Sequence, residues 1–279
     1  MVTPHPSRRL KELDLVARKG LGQHFLTDYG ALGKILQAAQ LSPEDIVVEV
    51  GPGLGVLTTA LVAQAGRVVA VELDDSLANS LRDELSSACN LTIIQGDILK
   101  IPLESLLADL PGSYKVVANL PYYLTSAALR HFLESTRRPS LLVVMVQREV
   151  ARSLMAAPGD LSLLGLSVRV FGSPRLVCRV PAGAFYPPPK VESAVVRIDV
   201  YDRPVVPEEE LVGFFRMARA AFSAARKQIQ NSLAQGLGWE KVEVLGRLGT
   251  AGIDPVRRAE TLDIPEWVRL WEACKPCPP

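Results

Sequence analysis

Short apolar segments recur between residues 46 and 146, and stretches with the spacing of amphipathic helices separate them. Their near-continuous apolar character is typical of parallel strands buried on both faces. Strands that alternate with helices predict a parallel, doubly wound α/β sheet. A later segment, Val191–Val200, alternates enough for an additional strand, antiparallel to the rest and at or near a sheet edge. The predicted parallel strands are 46–50, 67–72, 91–95, 115–119 and 141–146.

The pattern changes after residue 200. Tyr201–Pro204 is a plausible linker, and Pro207 followed by Glu208–Glu210 predicts a helix start, since proline and acidic residues favour the first turn. We expect that helix to run to about Leu233, with short helices between glycines after it. The prediction is therefore two domains, residues 1–201 and a small all-helical domain at 202–279. Residues 1–19 are expected to be mobile or loosely helical.

The composition argues against a membrane-spanning, a secreted or a zinc-binding protein. The chain has 279 residues and a net charge of +1, and no apolar run approaches the ~18 residues that span a bilayer. Met1–Arg9 has no apolar signal-peptide core, so we expect a cytoplasmic protein. Cys274 and Cys277 form a lone C-x-x-C pair without the further ligands of a zinc site, so we expect no metal.

Candidate chemistry lies where the predicted strands end. Gly51-Pro52-Gly53-Leu54-Gly55 follows the first strand, and such a turn lets a ligand approach the backbone closely. The dinucleotide fingerprint needs glycine where Val56 stands, which disfavours an NAD-dependent oxidoreductase. Glu72 ends the second strand and suits the hydroxyls of a ribose, whereas Asp97 follows the third and could accept a hydrogen bond from an adenine amine.

Asn119-Leu120-Pro121-Tyr122 follows the fourth strand. The Asn119 side chain can accept from an amino group, Pro121 can aim a neighbouring backbone carbonyl as a second acceptor, and Tyr122 can stack on a base. The tetrad therefore suits a planar base with an exocyclic amine. A loop with a packing tyrosine is the alternative interpretation.

These motifs together resemble the ribosomal RNA adenine dimethyltransferase family, over roughly Lys19 to Leu262. The most specific segment is Ala184–Val195, and Arg226–Leu233 with Arg258–Glu260 favours the small-subunit branch. Other matching segments are Gly22–Leu26, Glu49–Gly53, Glu72–Asp74, Gly96–Asp97, Asn119–Tyr122 and Gln147–Ala151.

The resemblance implies a Rossmann-like class I methyltransferase fold and S-adenosylmethionine as cofactor. His24 stands where the family more commonly has Asn, and we expect it still to contact the methionine end of the cofactor. The catalytic residues would be Asn119, Leu120, Pro121, Tyr122 and Phe185. The cofactor contacts would be His24, Leu26, Gly51, Glu72, Asp97 and Asn119.

The implied activity is N6-dimethylation of two adjacent adenosines in the 3′-terminal hairpin of small-subunit (16S) ribosomal RNA, by a monomer that recognises the immature 30S subunit. A large-subunit (23S) methyltransferase of the macrolide-resistance type and a non-catalytic ribosome-assembly factor remain as alternatives.

The RNA-binding candidates are Arg148, Arg152, Arg219, Arg226 and Lys227, the last three beside Arg216 on the predicted helix from 207. The alternative interpretation of these basic residues is a solvated helix face that binds nothing.

Overall fold

In the computed structural model, which describes residues 5–18, 20, 22–224 and 226–275, the predicted strands join a seven-stranded sheet. The strands in chain order are β1 (Phe25–Leu26), β2 (Ile46–Val50), β3 (Arg67–Glu72), β4 (Leu91–Gln95), β5 (Tyr114–Asn119), β6 (Leu141–Gln147), β7 (Gly172–Val180), β8 (Phe185–Tyr186) and β9 (Ser193–Val200). The order in the large sheet is β4-β3-β2-β5-β6-β9-β7, and β1 pairs with β8 in a separate two-stranded sheet.

Strands β2 to β6 pair in parallel, and β9 lies antiparallel to β6. This is the Rossmann-like sheet with a late antiparallel strand that the sequence predicts, so the fold prediction is confirmed. Strand β7 was not predicted. Its Pro174 argues against a strand by pattern alone, but proline is tolerated at a sheet edge, where β7 lies.

The helices lie between the strands as the alternating pattern predicts. Asp28 caps α2 (Tyr29–Ala39) by accepting from the backbone N–H groups of Gly30 and Ala31, and Ile35 of that helix belongs to the same buried core cluster as Val117 and Val143. The helices are α1 (Pro6–Glu12), α2 (Tyr29–Ala39), α3 (Val56–Val62), α4 (Asp75–Glu84), α5 (Leu103–Leu106), α6 (Thr125–Leu133), α7 (Arg148–Met155), α8 (Leu163–Phe171), α9 (Leu211–Phe222), α10 (Ile229–Leu237), α11 (Lys241–Thr250) and α12 (Ile264–Cys274).

Contacts divide the chain into two units. The first holds the described residues up to Ala151 together with Pro174–Val200, and the second holds Arg152–Ser173 together with the described residues from Tyr201. The second unit is helical apart from the start of β7. The boundary between the units at Val200 and Tyr201 coincides with the predicted linker. Residues 152–173, which the prediction had placed in the sheet domain, belong to the second unit.

The single long helix predicted from residue 207 to Leu233 is wrong. A short 3-10 turn precedes α9, which ends at Phe222, and α10 begins at Ile229. Helix α10 folds back on α9 so closely that a Cβ added to Gly236 would meet Ala220 at 2.6 Å. A turn between the helices lets both bury apolar side chains against each other, which one continuous helix would forgo.

Residues Pro6–Glu12 near the beginning of the chain form a helix. The prediction for residues 1–19 was either a mobile segment or a loose helix, and the second option describes this part. Helix α1 carries Leu10 into a buried cluster with Phe25, Leu54 and Leu77. Burial of a leucine side chain stabilises by about 1.5–3 kcal/mol, so this cluster fastens α1 to the first unit. At the other end Cys274 is buried in α12, and Cys277 lies outside the described residues.

Candidate active site

The glycine turn between β2 and α3 adopts backbone angles that favour glycine. Gly51, Gly53 and Gly55 all have positive φ, and a Cβ on Gly55 would lie 2.4 Å from a methyl carbon of Leu81. The turn therefore has no side chains at these positions, and its backbone is open to a ligand. The amide of Gly53 donates to Glu72, which connects the turn to the end of β3.

The Glu72 carboxylate is buried and held by two backbone groups. One oxygen accepts from Gly53 N at 3.0 Å and the other from Asp74 N at 2.9 Å. Burial raises the pKa of Glu72, and these bonds act in the opposite direction. Each oxygen keeps a further lone pair, so a vicinal diol could still donate to this rigidly oriented carboxylate.

Glu49 is a buried acid in β2. It belongs to the glycine motif found in the sequence, but no function was predicted for it. Its side chain lines the same cleft, and Oε2 has no hydrogen-bond partner among the residues the structure describes. Burial raises the pKa of Glu49 to about 8, and the nearby charge of Glu72 adds to the rise. An unpartnered buried carboxyl oxygen is costly, which points to a polar group of a ligand as its missing partner.

Asp97 follows β4 and begins a 3-10 turn. One oxygen caps that turn by accepting from Leu99 N at 3.1 Å, and the other lies 3.9 Å from the ammonium group of Lys100. The side chain remains partly exposed at the cleft. It can therefore accept another hydrogen bond, as the sequence predicts.

Asn119 ends β5 with its amide held in one orientation. Its Nδ2 donates to the backbone carbonyl of His24 at 3.1 Å, and no donor from the described part of the chain reaches Oδ1. Leu120 N donates to Met145 O, whereas the carbonyl of Leu120 accepts from none of the described residues. Two acceptors thus remain available beside the same turn.

Tyr122 lies partly buried at the edge of these acceptors. Its hydroxyl forms a 2.7 Å hydrogen bond with Ser193 Oγ, and its ring centroid lies 5.5 Å from that of His24. The His24 Nδ1 lies 2.7 Å from the carbonyl oxygen of Pro187. Neither Ser193 nor Pro187 was predicted from the sequence as a partner of this site.

Phe185 does not lie where a stacking role requires. It is 4% exposed, pairs with Leu26 through β8 and β1, and belongs to the hydrophobic core. In this structure the ring is covered by its core neighbours, so no face is open for a base. Tyr123, which was not predicted, is instead 58% exposed and lines the cleft, with its ring beside Gly22.

The cleft at the carboxyl ends of β2, β3, β4 and β5 brings the predicted cofactor residues together. The space between its walls, counted together with open solvent, is about 1050 Å³. Its lining includes His24, Leu26, Gly51, Glu72, Asp97, Asn119, Leu120, Pro121 and Tyr122.

Comparison with known proteins identifies the family. The profile of the family described as ribosomal RNA adenine dimethylase matches residues 15–274. The chain belongs to the ribosomal RNA adenine dimethylase family.

Similar members of the family include the ribosomal RNA small subunit methyltransferase A of Dehalococcoides mccartyi, which is 53% identical over 96% of this chain and 93% of its own length. The protein of the same name from Moorella thermoacetica is 44% identical over 95% of this chain and 96% of its own length.

Solved structures have the same fold. The 23S rRNA methyltransferase ErmE superimposes with a TM-score of 0.70 at 29% identity, covering 89% of this chain and 98% of its own. A dimethyladenosine transferase from Plasmodium falciparum has a TM-score of 0.75 at 24% identity, covering 88% of this chain and 96% of its own.

The basic residues predicted on the helix from 207 do not lie on one helix, which corrects the prediction. Arg219 is exposed on α9, but Arg226 and Lys227 are exposed in the turn after α9 has ended, where Lys227 donates to Gln235. Arg148, in the first unit, pairs with Glu192 at 3.0 Å, and Arg152, in the second unit, is exposed.

Neither a membrane span nor a metal centre is found in the described ranges. No helix there combines the length and the apolar character needed to cross a bilayer. Likewise no group of three or more His, Cys, Asp or Glu side chains in those ranges could hold a metal ion.

Proposed function

We propose that this protein uses S-adenosylmethionine to dimethylate N6 of two adjacent adenosines in the 3′-terminal hairpin of small-subunit (16S) ribosomal RNA. One observation carries the proposal: the free acceptors of Asn119 and Leu120 line the same cleft as the glycine turn, Glu72 and Asp97. Family membership and the names of the relatives, which specify small-subunit ribosomal RNA, support the substrate.

The residues present fit the cofactor. The open backbone at Gly51 and Gly53 leaves room for the aminoacyl part, and Glu72 would hold the ribose hydroxyls. Asp97 would accept from the adenine amine, with His24 and Leu26 closing the methionine end. The unpartnered Oε2 of Glu49 is the structural sign that a polar group belongs in this cleft. When bound, S-adenosylmethionine supplies a methyl group already activated on sulfur.

The chain's own contribution to transfer is orientation. The lone pair of an adenine N6 amine is delocalised into the ring, so the amine is a weak nucleophile. For the first methyl group, Asn119 Oδ1 and Leu120 O would accept both amine hydrogens and draw them out of the ring plane, which localises the lone pair. Each methylated amine would release one proton to water, and the second transfer would start from an amine with one remaining hydrogen. Because Nδ2 is held by His24, the amide presents oxygen rather than nitrogen to the amine. Positioning of this kind supplies much of the rate in a transfer between two bound groups.

The target adenosine would be flipped out of its stack and held by an aromatic ring. Tyr122 is the candidate for that ring, because it lies next to both acceptors and is fixed by Ser193. Base stacking on an aromatic side chain contributes about 1–3 kcal/mol. Phe185 would support this wall from the core rather than stack.

The RNA would be bound through contacts to its phosphates, which position an enzyme but do not recognise the nucleotide sequence. Arg148, Arg152, Arg219, Arg226 and Lys227 are the candidates, four of them in the helical second unit. We therefore assign ribosome binding to that unit, with the immature 30S subunit as the partner of a monomeric enzyme.

The test is methyl transfer from labelled S-adenosylmethionine to unmethylated 30S subunits, with the product mapped by nucleotide. The expected product is dimethyladenosine at two neighbouring positions of the terminal hairpin. Naked 23S RNA is the matched alternative substrate, and preferential labelling of it would assign the protein to the large-subunit type. Tight 30S binding without transfer to either RNA would indicate a non-catalytic assembly factor.

A further inference from the structure

Asp74 lies two residues after Glu72, in a sequence motif for which no function was predicted. It is 4% exposed, although its side chain is a carboxylate. Burial of a carboxylate is costly unless donors surround it, so the donors around Asp74 indicate what it does. Its backbone N–H donates to Glu72 Oε1 at 2.9 Å and thereby fixes one oxygen of the acid proposed for the ribose.

Both oxygens of the Asp74 carboxylate accept from other parts of the first unit. Oδ1 caps α4 by accepting from Ser76 N at 3.1 Å and from Leu77 N at 3.3 Å. Oδ2 accepts from Gln23 Nε2 at 3.2 Å and lies 3.3 Å from a guanidinium nitrogen of Arg18. The helix cap therefore accounts for one oxygen only, and the other is directed at residues that precede β1.

The contact with Gln23 has a fixed direction. Oε1 of Gln23 accepts from the backbone N–H of Arg18 at 2.7 Å, so its Nε2 faces Asp74. Gln23 is followed by His24 and Leu26, the residues proposed for the methionine end of the cofactor. Asp74 thus contacts the ribose acid through its backbone and the methionine-end loop through its side chain.

An apolar cluster joins the same parts of the unit. Leu10 of α1 is buried with Phe25, Leu54 and Leu77, and the last three also line the cleft. A Cβ added to Gly53 would lie 3.1 Å from the ring of Phe25, so this ring borders the glycine turn. The described residues before β2 therefore reach the cofactor cleft by polar and by apolar contacts.

We infer that Asp74 is a positioning residue that connects the two ends of the cofactor site. Its backbone N–H orients Glu72 for the ribose, and its carboxylate holds Arg18 and Gln23, so that the residues after Gln23 stay in place for the methionine end. The inference deepens the proposed function, on which it rests. A site whose two ends are arranged before binding spends less free energy on ordering when the cofactor binds.

Asp74→Asn tests this role with almost no change of shape. Every partner of the carboxylate is a donor, so the amide NH₂ must face a donor whichever way it turns. If the amide oxygen keeps the helix cap, Arg18 and Gln23 lose their acceptor. We expect about tenfold weaker binding of S-adenosylhomocysteine by calorimetry, the scale of a lost hydrogen bond to a charged group.

Asp75→Asn is the matched control. Asp75 lies in the first turn of the same helix, is exposed, and accepts from the adjacent Ser76 N at 2.9 Å. Its replacement removes the same charge without a contact to the residues before β1. Affinity for S-adenosylhomocysteine should stay within about twofold of the parent, as for an ordinary surface substitution.

A double-mutant cycle tests whether Asp74 acts through Arg18. Arg18→Met removes the charge, and because Arg18 is 54% exposed we expect only about a threefold loss of affinity. If both residues act through one contact, the double variant should lose about tenfold rather than the roughly thirtyfold of independent effects. Arg18→Lys keeps the charge and should restore most of the affinity.

Turnover separates a positioning role from a merely structural one. In Asp74→Asn the KM for S-adenosylmethionine should rise more than the KM for 30S subunits. A lower unfolding temperature with unchanged affinity of the folded variant for S-adenosylhomocysteine would overturn the inference, and so would fully independent effects in the cycle. Weaker 30S binding by Arg18→Met with unchanged cofactor affinity would also overturn it, since Arg18 would then be an RNA contact.

Binding of S-adenosylhomocysteine does not require methyl transfer. If the parent binds it and the variants follow the expected pattern, but no 30S subunit is methylated, the proposed function fails while the role of Asp74 stands. If the parent methylates 30S subunits and Asp74→Asn binds S-adenosylhomocysteine like the parent, only the role of Asp74 fails. A parent protein that does not bind S-adenosylhomocysteine would overturn both.

Discussion

At the scale of single residues, Asn119 is the group on which transfer depends. Asn119→Ala removes one of two acceptors for the amine, and we expect about a 100-fold loss of kcat, similar to the loss of one positioned polar group in other active sites. Cofactor affinity should fall at most modestly, because Glu72 and Asp97 remain. Single-turnover transfer and calorimetry measure the two effects.

Asn119→Asp is the matched control for orientation. It keeps an acceptor, but places a carboxylate oxygen against the His24 carbonyl, where the amide now donates. We expect it to be impaired as well. Turnover of either variant at the parent rate would remove the acceptor role assigned to Asn119.

Glu49 predicts a pH dependence of stability in the apo protein. Burial raises its pKa from an ordinary 4.5 to about 8, so the folded state binds the proton more tightly than the unfolded chain. Its contribution is therefore fully favourable below about pH 4.5 and is lost as pH rises to about 8. One pKa unit corresponds to about 1.4 kcal/mol, so the loss is on the order of a few kcal/mol.

Glu49→Gln cannot ionise and should escape that loss. Urea unfolding at pH 5 and pH 8 should show the variant gaining stability relative to the parent as pH rises. Glu72 titrates in both proteins, so the difference between them reports Glu49 together with its interaction with Glu72. A difference that does not change with pH would show that Glu49 is already charged in the fold.

At the scale of elements, the close approach of α9 and α10 depends on glycine. A Cβ at Gly236 would lie 2.6 Å from the Cβ and 2.7 Å from the Cα of Ala220, and backbone cannot move aside cheaply. Gly236→Ala should therefore lower the free energy of unfolding by about 1–3 kcal/mol, as overpacking does.

Gly246→Ala is the control, since this position in α11 has nothing within 4 Å of an added Cβ. There alanine should stabilise by about 0.4–1 kcal/mol, because it restricts the unfolded chain and favours helix. Urea melts of the two variants should move in opposite directions. Equal shifts would show that helix propensity, not packing, governs both sites.

At the scale of the whole molecule, RNA binding depends on basic residues from several elements, so no single helix or strand determines it. Arg226 and Lys227 are exposed, and replacing both with alanine should weaken 30S binding and reduce the dependence of log K on log salt by up to about 1.8. Arg130→Ala is the control, because this guanidinium is already paired with Glu134. A salt slope unchanged in the double variant would leave these residues as a solvated surface.

The sequence by itself determined six of the seven strands of the large sheet and most of the residues that line the cleft. Strands at 46–50 and 67–72 appear within their predicted bounds, because runs buried on both faces leave a strong apolar signal. Glycines, acids and the Asn119 tetrad at strand ends converge because parallel strands bring their carboxyl ends to one edge. The family resemblance rested on these residues together with longer segments such as Ala184–Val195, and it is confirmed.

Only the tertiary structure decided what depends on contacts between distant segments. The turn after Phe222 exists because α9 and α10 bury one another, which no local pattern encodes. Phe185 is covered because β8 pairs with β1, and His24 reaches Pro187 across 163 positions of sequence. Local periodicity reports which face of a segment is buried, whereas the partner that buries it is fixed only when the whole chain packs.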